Sequence, residues 1–304
     1  MTAASGPGGS IYDLGYQAYD GPRLGRRSAV FALFAQTVRA CFGIGRGGRA
    51  KIAPFTLAAL AILPAVLAVG FSALAAQAGP AGSAIEDASP IRYETYHGIV
   101  GILIMLFCAA QAPELFGRDQ RYGVLPLYFS RVLTRMDYAL AKVGGLFVAL
   151  LMVELSPYVI LFVGRVLVAP DPATGLAGES ASVPRFLLQG LLVAGLLGGL
   201  AGLVAAWTPR RAYATAMIIA LFIIPPIIVG LVGNLTNLDL ARAIVLFSPG
   251  DVLDGTNGAI FGSIPDSPVV ASVDLSGLAY LAAAIVGMAG SIGLTIRRYL
   301  RIAI

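Results

Sequence analysis

The sequence predicts an all-α polytopic membrane protein with six transmembrane helices, and three observations lead there. Apolar residues make up 58% of the 304 and charged ones only 12%, with a mean hydropathy of +0.83. Soluble domains carry roughly 25% charge, and water does not solvate so much apolar surface on a folded monomer. Uncharged stretches long enough to cross about 30 Å of hydrocarbon, roughly 20 residues each, recur along the chain. The basic residues, finally, flank these stretches instead of forming a patch, which sets aside the nucleic-acid partner that a pI near 9.4 would suggest.

Five stretches are free of charge: Ile52–Ile85, Thr95–Pro113, Phe186–Pro209, Ala212–Leu238 and Leu275–Ile296. A sixth, Val143–Gly164, is broken only by Glu154. The expected helices are 54–77, 96–113, 141–167, 185–206, 212–233 and 275–296. With the N-terminus inside, seventeen of the 21 Lys and Arg residues fall on the cytoplasmic side. Arg92, Arg165, Arg185 and Arg242 fall outside, and most acids with them. Cytoplasmic loops carry the excess of basic residues, so both chain ends are expected inside.

The chain divides into a cytoplasmic arm, 1–50, and a transmembrane domain, 51–304. The N-terminus is polar and Gly-rich with no apolar core behind a basic start, unlike a cleavable signal peptide. In Ser28–Phe42, Phe31, Phe34, Val38 and Phe42 recur at spacings of three and four. This predicts an amphipathic helix in the headgroup layer. The loop 114–142 mixes charges with aromatics. The segment 234–274 is rich in Gly, Pro and Asp, and its apolar patch Ala241–Phe247 is too short to span. A re-entrant half-helix ending at Ser248-Pro249-Gly250 is expected there.

Several chemical signals drop out. Gly43-Ile44-Gly45-Arg46-Gly47-Gly48 spells a dinucleotide fingerprint, but a membrane helix follows and no strand precedes it. No P-loop motif occurs, and the two lysines, Lys51 and Lys142, follow no phosphate loop. His97 is the sole histidine, which argues against a Ser-His-Asp triad or His-rich metal site, and it suits an interfacial anchor. Cys41 and Cys108 are expected as free thiols. The expectation is a chain with no catalytic, cofactor or metal residues of its own. Gly195-x-x-x-Gly199 and Gly198-x-x-x-Gly202 point to close helix packing, within or between protomers. Pro64, Pro157 and the pair Pro225-Pro226 predict kinks. Glu154 is the costliest residue to insert, at about 2.5–3.5 kcal/mol for a mid-bilayer acid. It either lines a path, with Pro157 beside it, or fixes helix packing. Arg165, three turns along, is too far away to pair with it.

At the 114–142 loop the sequence resembles the permease subunits of ABC-2 type transporters. The matching residues are Asp119, Gly123, the run Ser130-Arg131-Val132-Leu133-Thr134-Arg135, and Lys142 opening the third span. Val132 stands where that family has proline. The start IYDLGYQAYDGPRLGRR also looks like such permeases from high-GC bacteria. The resemblance implies an exporter subunit in a bacterial cytoplasmic membrane, paired with a second permease copy or paralogue. Two P-loop ATPase subunits would bind ATP and Mg on its behalf. Its ATPase-docking loop would use Arg118, Asp119, Arg121, Arg131 and Arg135 for charge. Tyr122, Leu125, Tyr128 and Phe129 would serve as apolar anchors, with Gly123 at the turn. A proton-coupled carrier working through Glu154 and a non-transport scaffold are the alternative readings.

Overall fold

The computed structural model describes residues 21, 24–78, 82, 91–130, 132–235 and 238–302, and the regular structure among them is helical. In chain order the helices are α1 (Gly25–Cys41), α2 (Arg49–Gln77), α3 (Tyr93–Arg121), α4 (Leu125–Phe129), α5 (Arg135–Val168) and α6 (Pro172–Glu179). They continue with α7 (Val183–Trp207), α8 (Arg211–Leu235), α9 (Leu238–Ile244), α10 (Pro249–Phe261), α11 (Pro268–Ser272) and α12 (Gly277–Arg301). Six of them, α2, α3, α5, α7, α8 and α12, are long and apolar enough to cross a membrane. The chain is thus an all-α, multi-pass membrane protein. One end of the bundle collects α1 and the 114–142 loop, and the other collects α6 and the turns around α9–α11. We call these the basic and the acidic end.

The two spans that most outrun the hydrophobic windows announcing them are α3 and α5. α3 continues past Pro113 through a π-helical turn, Pro113–Gly117, into Arg118–Arg121. α5 begins at Arg135 because Thr134 and Asp137 cap it reciprocally. The Thr134 Oγ1 accepts from the Asp137 N–H (3.2 Å), and the Thr134 N–H donates to Asp137 Oδ2 (3.0 Å). That capping box satisfies two of the N–H groups a helix start leaves open. Charged first turns of this kind lie outside any hydropathy window, so only the polar cap reveals them. Pro54, Pro64, Pro157, Pro225 and Pro226 all sit inside helices that continue through them.

α7 is the central helix, buried along most of its length, whereas α2 and α8 show apolar side chains to the surroundings. Its glycines explain how neighbours reach it. A Cβ on Gly195 or Gly199 would strike Met288 or Ser291 of α12 at 2.2 and 2.4 Å. One on Gly190 or Gly198 would strike Leu155 or Leu150 of α5 at 2.6 and 2.8 Å. Gly202 faces the ring of Phe116 in the π-helical turn. The small-residue pairs read from the sequence therefore pack within one chain, on two faces of one helix.

α1 packs on α5 through Leu33, Thr37 and Cys41, with Thr37 set against Gly145 at 2.6 Å from a Cβ there. Phe31 stays exposed, and Phe34, Val38 and Phe42 lie at the edge of the contact. The buried stripe is therefore offset from the aromatic one. Gly43 turns the chain into α2 at φ +66°, so close to Ala50 that a Cβ would clash with its carbonyl. Burial pushes the Cys41 thiol up to about 12, and both cysteines are free.

Residues 238–261 form a helical hairpin that dips into the bundle. α9 and the 3₁₀ turn Val245–Phe247 lead to Ser248, which caps α10 with its side chain accepting from the Asp251 N–H (3.5 Å). At this apex a Cβ on Gly250 would lie 3.3 Å from Pro226 and 3.7 Å from Met105, residues well inside α8 and α3. The far end of α10 returns to the acidic end, where Asn257 Nδ2 donates to the Glu94 carbonyl (2.6 Å) at the start of α3. Gln189 of α7 ties the hairpin in. Its Nε2 donates to the Leu253 carbonyl (3.1 Å), and its Oε1 accepts from Thr256 Oγ1 (3.2 Å). Protein groups thus meet part of the polar demand of a non-spanning helix, although Asp251 Oδ2 and Asn257 Oδ1 stay unpartnered among the described residues.

Gly255 packs so tightly that a would-be Cβ there lies 2.4 Å from the Tyr280 ring. Gly255→Ala is expected to destabilise by about 1–3 kcal/mol through overpacking. Thermal unfolding in detergent should show the loss and its partial relief by Tyr280→Ala. Gly230→Ala, in open space, serves as the neutral comparison.

Candidate functional site

Loop 114–142 is knotted to the rest of the basic end by ion pairs. Glu114 sits between Arg211 at the start of α8 (2.8 Å) and Arg46 in the turn before α2 (3.3 Å). Asp119 pairs with the largely buried Lys142 of α5 (2.8 Å) and accepts from Tyr138 Oη (2.7 Å). Asp137 holds Arg26 of α1 through Nε (2.8 Å) and Nη2 (2.9 Å). This hydrogen-bonded pairing raises the Arg26 guanidinium above its ordinary value. All three acids of the loop are therefore spent on cations from other elements.

Aromatic and backbone contacts complete the knot. Tyr138 packs between Tyr128 (5.3 Å), Phe129 (5.7 Å) and Tyr299 of α12 (5.2 Å, centroid to centroid). Gln120 Nε2 donates to Tyr299 Oη (3.1 Å) and to the Ala206 carbonyl of α7 (3.0 Å). Arg135 donates to the Leu300 carbonyl (2.8 Å). A cavity of about 580 Å³ remains between α1 and the loop, lined in part by Thr37, Arg46, Glu114, Arg118, Asp119 and Lys142.

The residues read from the sequence as a docking surface separate into two groups here. Asp119 and Leu125 face inward, with Leu125 buried in the main core. Tyr128 and Phe129 are half-buried against Tyr138, and Arg135 is committed to Leu300 and the Phe129 ring. Burial, with Asp119 nearby, also pushes the Tyr128 phenol up. Arg118, Arg121 and Tyr122 are exposed, with Arg121 over the Tyr122 ring at 5.2 Å. Gly123 makes the turn at φ +63°. Leu127 (69% exposed) and Val132 (57%) join the outward group, although the sequence did not single them out for it. Arg131 lies outside the described residues.

A second cluster lies between α3 and α5 toward the acidic end. Glu154 is 0% exposed, and neither carboxylate oxygen has a hydrogen-bond partner among the described residues. His97 Nδ1, also unpartnered, stands 3.9 Å from Glu154 Oε1, too long for a hydrogen bond. Tyr96 and Tyr158 lie beside Glu154, with Tyr96 against Tyr158 (5.4 Å) and Tyr158 against Phe186 (5.6 Å). Tyr96 Oη donates to the Ala61 carbonyl of α2. Pro157 is buried on α5 close by. Arg165 sits over the Tyr93 ring (4.8 Å) and 3.9 Å from Glu179, away from Glu154. His97 read as an interfacial anchor in the sequence; only the packing of α3 on α5 brings it to Glu154.

Comparison with protein-family models and with curated proteins yields no match.

The Asp119–Lys142 pair should be costly to break from one side. Removing one partner of a buried pair typically loses about 3–5 kcal/mol, while replacing both with apolar groups recovers much of it. Lys142→Met is expected to lower the unfolding temperature in detergent sharply. Lys142→Met with Asp119→Leu should unfold closer to the unaltered protein.

Proposed function

We propose that this chain is the permease subunit of an ATP-driven ABC-2 type transporter, exporting a hydrophobic or amphipathic solute. In this reading the basic end is cytoplasmic, the chain carries no catalytic group, and a separate P-loop ATPase binds ATP and Mg. Two ATPase subunits would attach beneath a pair of permeases, the second a copy or a paralogue of the first.

The observation that carries the reading is the double character of loop 114–142. Its inward residues bind it to α1, α5, α7, α8 and α12 through the ion pairs and hydrogen bonds described above. Its outward residues, Arg118, Arg121, Tyr122, Leu127 and Val132, combine charge with exposed apolar surface. Aromatic and Arg side chains are the groups that dominate protein interfaces. Force applied to the tip enters α3 through its π-helical turn and α5 through its capping box. It reaches α12 through Gln120–Tyr299 and Arg135–Leu300. A non-catalytic transport subunit needs such a connection to an external motor. The residue pattern Asp119, Gly123, Ser130 to Arg135 and Lys142 supports the same assignment by resemblance, and Thr134 and Lys142 have structural work in it as helix cap and ion-pair partner.

Arg118→Glu combined with Arg121→Glu tests the proposal. Both side chains are exposed, so the fold should be kept while a P-loop ATPase no longer co-purifies and transport is lost. The proposal fails if no such ATPase accompanies the unaltered protein from its native membrane. It fails equally if the double variant retains both partner and transport.

A further inference from the structure

We propose that His97 and Glu154 form a proton-binding site, holding one proton between them and exchanging it with the medium at the acidic end of the bundle. A fully buried carboxyl with two unpartnered oxygens stands beside a buried imidazole with an unpartnered Nδ1, and these are the charge-bearing groups closest to each other there. An isolated charge in such a place is heavily penalised by desolvation, whereas a pair that is neutral overall is not. Neutrality for a histidine and a glutamate requires one proton on the pair, whichever atom carries it. With none the site is an uncompensated anion, and with two it is a cation whose nearby acid, Asp254, is already held by two backbone N–H groups.

Among the described residues the surroundings supply no further cation beside Glu154. On α3 the neighbours are Tyr96, bonded to Ala61 of α2, and Cys108; on α5 the neighbour is the Tyr158 phenol. α7 contributes the Phe186 ring behind Tyr158. The remaining ionisable groups are acids of the hairpin side. Asp254 of α10 lies near His97 and accepts from the backbone N–H groups of Asp266 (3.0 Å) and Ser267 (2.9 Å). The Asp266 carboxylate in turn sits over Gly98, the residue after His97, at 2.0 Å from a Cβ there. Burial deepens along this series, from the exposed Asp266 through Asp254 (8%) and His97 (6%) to Glu154 (0%). The less buried members of the series lie toward the acidic end, the side from which a proton would enter. The site does not depend on the transporter reading.

Linkage gives the test its sign. In the unfolded chain Glu154 and His97 titrate at about 4.3 and about 6.5. They carry two protons below the first value, one between the two, and none above the second. A native pair that keeps one proton therefore loses stability as pH rises above about 6.5, because the native state then binds the extra proton. In Glu154→Gln, His97 is neutral in both states above about 6.5, so that decline should vanish. In His97→Gln, Glu154 keeps its proton alone, so decline should start near 4.3 instead of 6.5.

The measurement is the apparent unfolding temperature of the full chain in detergent against pH, taken as differences between the unaltered protein and each variant. Asp251, whose carboxyl burial pushes up, is common to all three proteins and drops out of the differences, while Asp254, which interacts with His97, calls for the same comparison in an Asp254→Asn background. Opposite displacements in the two variants support the site; an unchanged alkaline decline in Glu154→Gln overturns it. Should a variant not accumulate, the sole histidine allows a test on the unaltered protein. The nitrogen resonances of ¹⁵N-histidine should stay constant from pH about 5 to about 8, and conversion near 6.5 like a free imidazole sinks the proposal.

Discussion

Helix backbones approach α7 more closely than side chains on both partners would allow, and the rest of the bundle is arranged around that approach. In lipid the hydrophobic effect does little to hold one apolar helix against another, so association rests on close packing and on polar bonds. α7 supplies the first through Gly190, Gly195, Gly198, Gly199 and Gly202, which admit α5, α12 and the π-helical turn of α3. It supplies the second through Gln189, whose amide holds the re-entrant α10 at Leu253 and Thr256. With α7 surrounded, α2 and α8 are left on the outside carrying apolar surface.

The two ends of the bundle solve the problem of charge differently. At the basic end every acid of loop 114–142 meets a cation, and the pairs join segments far apart in sequence, Arg26 with Asp137 and Arg211 with Glu114. That end is a set of satisfied charges with an exposed, mixed tip. Toward the acidic end both Glu154 carboxylate oxygens and His97 Nδ1 are left without hydrogen-bond partners among the described residues, with Tyr96 and Tyr158 beside Glu154. A satisfied network positions a surface, while unsatisfied ionisable groups in a dry setting are where protonation and structure become linked. The first character supports a mechanical role for the loop and the second a proton-binding one for the α3–α5 contact.

Much of the candidate loop was legible in the sequence, but not its division of labour. Arg118, Asp119, Arg121, Tyr122, Leu125, Tyr128 and Phe129 all looked equally available in a short polar-aromatic segment. Which of them turn inward depends on where α12 ends and where Lys142 reaches, and neither is local to the loop. Thr134 carries a local signal of another kind: a Thr three residues before an Asp suits a helix cap, and α5 starts there, six residues before the span expected from hydropathy at 141. The re-entrant hairpin was legible for a similar reason. An apolar patch too short to span, stopped by Ser248-Pro249-Gly250, leaves few structures that satisfy the backbone in lipid.

The sequence by itself determined the six spans and the dipping segment between the last two. Both follow from local hydropathy and from the need of each buried peptide group for a hydrogen bond. It determined the interior role of small residues in α7 as well, though not whether they met a helix of the same chain. Only the tertiary structure decided that Glu154 faces His97, that Asp119 is held by Lys142, and that α1 turns Leu33, Thr37 and Cys41 inward in place of its aromatic stripe. Those outcomes depend on the rotation of whole helices about their axes. An apolar helix in an apolar solvent carries little pattern to set that rotation, so neighbours decide it.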